Sequence, residues 1–273
     1  MIRLGIRGHD VNSNTYNGVA KIIKDYGFDG VQLAYKKSFK RLMEEKDIID
    51  LKNEFCNTCD ILMLGCYFNP VHPNKEILNK EIEYFKLHLK YARFLNTKYV
   101  GTETGSLRGD PWSYYPGNHG EKALDDLVTI FKDLAITATK YDSYICLEGG
   151  WGNVLHTPKR MYEAIKKIDS DRIKVIVDLF NFLTIKNYKK RYEILDECFK
   201  LFKDKIVIFH LKDFIIEDNK LVQVPLGKGL MDYDLIINKI KKNIDNPILI
   251  FENIKNENIK PCFNYISNII NNN

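Results

Sequence analysis

The segment YICLEGG (residues 144–150) decides the fold that this sequence predicts. Its first four residues are apolar or β-prone, as in a buried strand, but the run then ends on the carboxylate of Glu148 and two glycines. Four buried strands are expected to end on ionisable side chains in this way, because three later segments follow the same pattern: IKVIVDL (173–179) with Asp178, IVIFHLKD (206–213) with His210, and PILIFEN (247–253) with Glu252.

Further apolar runs precede this segment. Most of the runs are continuously apolar rather than alternating, which is typical of parallel strands covered on both faces. The earlier runs bring the number of candidate strands to eight: IRLGIRG (2–8), GVQLA (30–34), ILMLGCYF (61–68) and KYVGTETG (98–105).

The segments between the strands carry helical patterns. Start and stop signals are present: Thr157 caps a helix that begins with proline, Gly27 ends the first helix, and Asp232 caps a later one. His88 lies on the helix predicted within residues 74–95 and is expected at the surface. The apolar stripe of that helix steps by four, three, four and three residues through Leu78, Ile82, Phe85, Leu89 and Ala92.

Alternating strands and helices with short connections predict an α/β fold with one parallel sheet. The natural closed form of eight such units is a single (β/α)8 barrel, or TIM barrel, which we expect to span residues 1–270. A doubly wound open sheet is the alternative, but no strand is followed by the G-x-G-x-x-G turn that dinucleotide-binding sheets usually carry. The residues NNN at 271–273 are expected to form a disordered tail.

Composition limits the classes of partner. A net charge of +5 over 273 residues is too small to indicate a nucleic-acid binder, although it mildly favours anionic ligands. The chain opens without a signal-peptide pattern, and no run reaches the ~18 apolar residues of a membrane span. The one C-x-x-C motif, Cys56–Cys59, lacks the second pair that a four-thiolate zinc site needs. We therefore expect a soluble, cytoplasmic protein in a reducing setting, without membrane or nucleic-acid partners.

The four ionisable strand ends predict a metal site. In a barrel the carboxyl ends of all strands meet at one mouth, so Glu148, Asp178, His210 and Glu252 should come together. Three carboxylates crowded at an apolar mouth repel one another unless a cation neutralises them. Oxygen ligands with one imidazole suit one divalent ion, Mn²⁺ first, with Mg²⁺, Co²⁺ or Zn²⁺ as alternatives. Each residue alone has a plainer explanation as a helix cap, an ion-pair member or a core histidine.

Other residues are candidates for substrate binding. Strand alternation places Lys212 on the same side as His210, where it would contact a substrate oxygen or pair with an acid. The glycines of PLGKG, Gly227 and Gly229, would offer amides to a phosphate or form a tight turn. The remaining candidates lie at strand ends or in loops and would bind substrate or support the loops: Asp213, Glu103, His72, His9 with Asp10, and Arg108, Trp112, Tyr114 and Tyr115 of the loop SLRGDPWSYYPGNHG.

These motifs resemble those of the xylose isomerase-like barrels known as sugar phosphate isomerases/epimerases, which include the ketose 3-epimerases and share a fold with endonuclease IV. The resemblance covers essentially the whole chain. It implies that the four strand-end residues bind one divalent cation, and that Glu148 and Glu252 act as acid and base on a small-molecule sugar or sugar phosphate. It also implies a possible homo-oligomer. The motifs that carry it are CLEGGWGNVLHTP, VIVDLFN, FHLKD, VPLGKGLMD, ILIFEN, GCYFNPVHP and GTETG.

The resemblance implies a reaction in which the ion and the two glutamates cooperate. An ion chelated by a ketose carbonyl and its neighbouring hydroxyl would stabilise an enediolate while the glutamates move the proton. Many ketose epimerases carry a histidine where this chain has Asn181, so no particular free ketose is implied. Three other classes stay open: an inosose-type dehydratase on the same site, an endonuclease IV-like hydrolase, which Asn181 and the lack of histidine after His210 argue against, and a binding protein without turnover.

Overall fold

A closed barrel of parallel strands forms the centre of the protein. The computed structural model describes residues 1–55 and 57–272. The described strands are β1 (Arg3–Arg7), β2 (Gly30–Leu33), β3 (Asp60–Gly65), β4 (Tyr99–Glu103), β5 (Tyr144–Glu148), β6 (Ile173–Asp178), β7 (Ile206–Leu211), β8 (Asp213–Glu217), β9 (Lys220–Val224) and β10 (Ile248–Phe251). Eight of them close in the order β1-β10-β7-β6-β5-β4-β3-β2, each parallel to its neighbours. The predicted (β/α)8 barrel is confirmed, and the open doubly wound sheet is excluded.

Helices surround the barrel. Thr157 accepts a hydrogen bond from the Arg160 amide, and Asp232 accepts one from the Leu235 amide, as capping residues do. Gly27 ends the first helix with a positive φ of 98°, so all three predicted caps are confirmed. The α-helices of the described residues are α1 (Tyr16–Tyr26), α2 (Tyr35–Phe39), α3 (Asp47–Phe55), α4 (Lys75–Tyr91), α5 (Glu121–Lys140), α6 (Pro158–Ile168), α7 (Arg191–Phe202), α8 (Tyr233–Asn243) and α9 (Asn256–Asn272).

Apolar side chains fill the inside of the barrel below its mouth. Side chains alternate along a strand, so residues two apart point to the same side. Gly101 leaves room for this layer, since a Cβ there would lie 2.5 Å from Met63 Sδ. The ionisable strand ends therefore lie in the next layer toward the carboxyl ends, two residues beyond four members of this layer: Cys146, Ile176, Ile208 and Ile250.

The connection after β7 contains two further strands that the sequence analysis did not predict. An antiparallel hairpin of β8 and β9 extends from the mouth, with Asp218 and Asn219 at its turn. Both turn residues have positive φ, 46° and 59°, which is the conformation that Asn and Asp tolerate in two-residue hairpins. The Asp-Asn pair was therefore a usable sequence signal for this hairpin.

The last helix continues into the predicted tail. Residues 271 and 272 belong to α9, so for these two positions the expectation of disorder is wrong. The helix is held by an apolar face that includes Ile259, Cys262, Ile266 and Ile269, and its last turn follows directly from this packed stretch. Asn273 and Cys56, the first cysteine of the C-x-x-C motif, lie outside the described residues. None of the helices in the described residues is long and apolar enough to cross a membrane.

His88 is buried on α4, so its expected surface position is wrong. Its ring packs on Tyr84 with centroids 4.6 Å apart, and Nδ1 lies 2.9 Å from the carbonyl oxygen of Tyr84. Burial lowers the pKa of His88 to about 4, and that hydrogen bond offsets the effect only partly.

This burial predicts a pH dependence of stability. Between pH 6.5 and about 4, His88 binds a proton in the unfolded chain but stays neutral in the folded protein. The free energy of unfolding therefore falls as the pH falls. We expect the unfolding free energy of the wild type to drop by about 2 kcal/mol more than that of a His88→Gln variant between pH 7 and pH 5. Urea unfolding at the two pH values measures this, and equal drops in both proteins would show that His88 is not buried as described.

Candidate metal centre and active site

The four ionisable strand ends lie together at the mouth of the barrel. Glu148, Asp178 and His210 end or nearly end β5, β6 and β7, and Glu252 directly follows β10. Each offers one ligand atom, and these atoms all lie within 4.8 Å of one another. We call these four residues the metal set. Because the barrel order is β10-β7-β6-β5, the two glutamates lie at opposite ends of the metal set.

Three members of the metal set are buried and Glu252 is partly buried, and their ligand atoms converge while several of them lack hydrogen-bond partners. His210 Nδ1 lies 3.2 Å from Glu148 Oε1 and 3.0 Å from Glu252 Oε2, and Asp178 Oδ2 is 3.9 Å away. Even so, both His210 nitrogens and Glu252 Oε2 have no hydrogen-bond partner among the described residues, and Asp178 Oδ2 has an ion-pair contact with Lys212 Nζ but no geometric hydrogen bond. Buried polar atoms are rarely left in this state, and lone pairs directed at one point are what a cation requires.

The electrostatics of the metal set also call for positive charge. Burial alone would lower the pKa of His210, but Glu148 and Glu252 outweigh it and raise this pKa to about 10. The two acids thus favour positive charge at this point. A divalent ion bound by neutral imidazole and carboxylates would supply that charge, so the residues present fit the implied metal.

Lys212 lies beside the metal set, on the side where strand alternation predicts it. Its Nζ is 2.6 Å from Asp178 Oδ2 and 3.0 Å from Glu252 Oε1. It also donates to Asn181 Oδ1 at 3.1 Å, while Asn181 Nδ2 donates to Glu148 Oε1 at 2.7 Å. Lys212 and Asn181 therefore link three members of the metal set and fix their orientation.

Arg7 is a residue of this site that the sequence analysis missed. It is buried at the end of β1, donates to Glu252 Oε1 at 2.7 Å and pairs with Asp10 at 2.8 Å. Burial alone would raise the pKa of Glu252, but Lys212, His210 and Arg7 hold it well below the usual range. The strand-end rule applied to the first strand would have found Arg7, because it is the last residue of IRLGIR.

Tyr67 and Gln32 were missed as well. Tyr67 follows β3, and its hydroxyl donates to Glu148 Oε2 at 3.3 Å. Gln32, inside β2, donates to the same hydroxyl at 2.8 Å. Tyr67 was part of the quoted motif GCYFNPVHP, but an aromatic residue in an apolar run carries no sequence signal for a role at a carboxylate.

Two predicted candidates also face the mouth. Glu103 ends β4 directly opposite Glu148, and burial, then Glu148, raises the pKa of Glu103 to about 8. His9 lies in the loop after β1, where burial, then Arg7 and Lys37, lowers its pKa to about 3. Glu103 Oε2 and His9 Nδ1 are buried and have no hydrogen-bond partner in the described part of the chain.

Three other candidates have no described contact with the metal set. His72 Nδ1 accepts a hydrogen bond from the amide of Asn74, the residue that caps α4, so it supports a loop. Arg108 is exposed and forms no ion pair among the described residues. Trp112 has 55% of its surface exposed, and its neighbour Tyr114 stacks on Trp151 at 4.6 Å.

Asp213, predicted to orient a ligand, has its carboxylate directed at the backbone of a loop. Its carboxylate is buried and accepts hydrogen bonds from four backbone amides, at 2.9–3.0 Å. Gly227 and Gly229 are two of the donors, so their amides are not available for a phosphate. The plainer alternative holds for all three residues: Asp213 ties the loop after the hairpin to the end of β7. The other two donors are the amides of Phe214 and Met231.

This arrangement predicts a stability effect. An Asp213→Asn variant presents an amide NH₂ group to backbone donors, so at least one buried amide loses its acceptor. We expect the free energy of unfolding to fall by about 2–4 kcal/mol, measured by urea titration. Asp218→Asn, at the exposed hairpin turn, is the matched control and should change stability by less than about 0.5 kcal/mol. A loss below about 1 kcal/mol for Asp213→Asn would contradict the described role.

A cavity of about 390 Å³ lies on the other side of Tyr67 from Glu148, and no residue of the metal set lines it. Tyr67 connects the two, since its ring lines the cavity while its hydroxyl contacts Glu148. A larger cavity of about 640 Å³ is lined by Tyr99 and Ile206, the first residues of β4 and β7, at the opposite end of the barrel. Barrel chemistry takes place at the carboxyl ends of the strands, so the smaller cavity is the candidate substrate site. Its other lining residues include Ala34, Lys36, Lys37, Cys66, Lys80, Tyr84 and Trp112.

Comparison with known proteins agrees with this architecture. Residues 20–262 match the family model described as xylose isomerase-like TIM barrel. No curated protein matches the sequence.

Solved structures share the fold at low sequence identity. A D-tagatose 3-epimerase-like protein has 16% identity and a TM-score of 0.78, with 98% of this chain and 97% of that chain covered. A xylose isomerase-like TIM barrel protein from Mycobacterium smegmatis in complex with magnesium has 14% identity and a TM-score of 0.76, covering 99% and 95%. The probable 3-DHS dehydratase AsbF from Bacillus anthracis has 14% identity and a TM-score of 0.71, covering 97% and 98%.

Proposed function

Because this chain belongs to the xylose isomerase-like TIM barrel family, we propose that it is a divalent-metal-dependent isomerase or epimerase of a sugar or sugar phosphate. The observation that carries this proposal is the metal set, whose ligand atoms all lie within 4.8 Å of one another and include both His210 nitrogens and Glu252 Oε2 without hydrogen-bond partners among the described residues. Among its structural neighbours are a D-tagatose 3-epimerase-like protein and an L-ribulose 3-epimerase.

The residues of the metal set would hold one divalent ion, with Mn²⁺ our first choice. When bound, the ion supplies a Lewis acid that polarises a substrate carbonyl and so acidifies the neighbouring C–H. A neighbouring structure in complex with magnesium and another with a zinc atom are compatible with an ion of this kind.

Glu148 is the first proton-transfer group in this proposal. Its Oε1 accepts from Asn181 and faces His210, whereas Oε2 is directed to Tyr67 at the cavity. We assign proton transfer to Oε2, because a general base must be within hydrogen-bond reach of the substrate and the cavity is where the substrate fits.

Glu252 is the second proton-transfer group in this proposal. It lies at the other end of the metal set, so it would serve the opposite face of a substrate bound between the two glutamates. Arg7 and Lys212 keep it ionised and oriented through Oε1. Removal of a proton on one side and its return on the other inverts a carbon, while transfer between neighbouring carbons isomerises the sugar.

A dehydratase is the second candidate, favoured by the structural likeness to the probable 3-DHS dehydratase. Proton removal next to a carbonyl is shared by both reactions, and a dehydratase additionally expels a β-hydroxyl group. The same glutamates would remove the proton in a dehydratase, and Lys212 or Glu103 would donate a proton to the hydroxyl group that leaves.

Product analysis by NMR tests the proposal. Metal-loaded protein is incubated with ketoses, ketose phosphates and keto-inositols. We expect one substrate to give an epimer or isomer of unchanged mass. A product lighter by one water would establish the dehydratase instead, and no product from any sugar, with cleavage of abasic DNA, would overturn both in favour of a nuclease.

A further inference from the structure

Lys37 is a cation at the candidate substrate cavity and has no anionic partner within the part of the chain that the structure describes. It lies on α2, after β2, and lines the cavity together with Tyr67 and Trp112. Its Nζ is 5.3 Å from the ring centre of Tyr67 and 5.1 Å from that of Trp112. Two aromatic faces thus hold the ammonium group at the cavity wall.

The other cations of the mouth are already engaged. Arg7 pairs with Asp10 and Glu252, and Lys212 pairs with Asp178 and Glu252, all at 3.0 Å or less. Among the described residues, the ammonium group of Lys37 has neither an ion pair nor a hydrogen bond, although its backbone amide donates to the carbonyl oxygen of Ala34. Burial lowers the pKa of Lys37, and Arg7 lowers it further, whereas the acids Glu103, Glu252 and Glu148 raise it from beyond ion-pair distance.

A half-buried ammonium group without a partner is costly, and a bound anion would remove that cost. The lining of the cavity has an excess of positive charge, because Lys36 and Lys80 also border it and Glu81 is the one acid among the lining residues that the structure describes. Lys80 is paired with Glu76 at 2.7 Å, and Lys36 is exposed, so Lys37 is the strongest candidate for a direct contact.

We propose that Lys37 binds an anionic group of the substrate, between Tyr67 and Trp112, while the reacting carbons lie at the metal set. This inference rests on the proposed function. It narrows the substrate class to ketoses that carry a phosphate or carboxylate away from the reacting carbonyl. The aromatic rings of Tyr67 and Trp112 would cover the C–H face of the sugar between its anionic group and its reacting carbonyl.

Binding of matched ligands tests the inference. Dissociation constants for D-fructose, D-fructose 6-phosphate and 5-keto-D-gluconate are measured by tryptophan fluorescence on metal-loaded wild type, Lys37→Gln, Lys37→Arg and Lys40→Gln. Lys40 is an exposed lysine at the end of α2 and serves as the charge-matched control. We expect Lys37→Gln to raise the dissociation constant of the preferred anionic ligand by about 10- to 100-fold more than that of fructose, which is the usual effect of losing a charged hydrogen bond. Lys37→Arg should recover most of the loss, and Lys40→Gln should change binding less than about twofold.

The two anionic ligands distinguish phosphate from carboxylate, and sulfate provides a probe that needs no sugar. At constant ionic strength, sulfate should quench the fluorescence of Trp112 in the wild type, with at least a tenfold weaker midpoint in Lys37→Gln. A Trp112→Phe variant identifies the signal. The inference would be overturned if Lys37→Gln weakened the binding of fructose and of the anionic ligands equally, or if sulfate bound equally well to the wild type and to Lys37→Gln. Failure of the proposed function would show separately, as the absence of any sugar product.

Discussion

Replacing Glu148 by glutamine should lower the rate of substrate proton transfer by about 10³-fold, within the range that general acid–base groups contribute. Glutamine keeps the size of the side chain and an oxygen that can accept from Asn181. It cannot take up a proton at the atom facing Tyr67. Solvent-exchange kinetics measured by NMR would give the effect.

Two controls support the interpretation of this variant. Glu83→Gln, on the exposed side of α4, removes a carboxylate far from the mouth and should leave the rate within about twofold. Thermal unfolding of Glu148→Gln should remain cooperative, which separates lost chemistry from lost structure. A Glu148→Gln enzyme with wild-type activity would remove Glu148 from the mechanism.

Replacing Asp178 by asparagine should weaken binding of the divalent ion by on the order of 100-fold or more. Asp178 is fully buried, and its Oδ2 is held 2.6 Å from Lys212, so the shape of the site is retained while one ligand charge is lost. Lys212 then keeps Glu252 as its only carboxylate partner among the described residues.

Metal-dependent stabilisation measures this loss. Mn²⁺ at 100 times the wild-type Kd should stabilise the wild type by about 2.7 kcal/mol, or about 5–10 °C in Tm. The same concentration should stabilise Asp178→Asn by only about 0.4 kcal/mol. Asp196→Asn, which alters an exposed pair with Lys239, should respond like the wild type. Equal metal-induced shifts in both Asp178→Asn and the wild type would place the ion elsewhere.

Much of the fold could be predicted because the barrel imposes strong local patterns. Parallel strands covered on both faces read as apolar runs, and a closed parallel barrel brings all their carboxyl ends to one mouth. The convergence of Glu148, Asp178, His210 and Glu252 therefore followed from strand ends spaced far apart in the chain. The caps Thr157, Gly27 and Asp232 could be predicted because capping depends on neighbouring residues alone.

The rest of the site depends on contacts between distant segments. Whether Asp213 faces a ligand or four backbone amides is decided by the return of the loop that contains Gly227 and Gly229. The ammonium group of Lys37 lies against the rings of Tyr67 and Trp112, which belong to two other loops. Contacts between such distant segments cannot be predicted from a local sequence pattern.

Burial of single polar residues is equally hard to predict from one helix. His88 lies at the edge of the apolar stripe of α4, and its burial depends on how Tyr84 packs beside it. The β8–β9 hairpin had a local signal in Asp218 and Asn219, but the continuous apolar run before it favoured a simple strand and loop.

Solvent exchange with and without the metal tests the central claim most directly. Protein stripped with EDTA, and the same protein reloaded with Mn²⁺, is incubated in D₂O with ketoses, ketose phosphates and keto-inositols. We predict deuterium at the carbon next to the carbonyl of one substrate, only in the reloaded protein and not in its Glu148→Gln variant. Exchange that survives complete metal removal, or no exchange with any of these compounds while one Mn²⁺ is bound per chain, would contradict a metal-dependent proton-transfer site at this mouth.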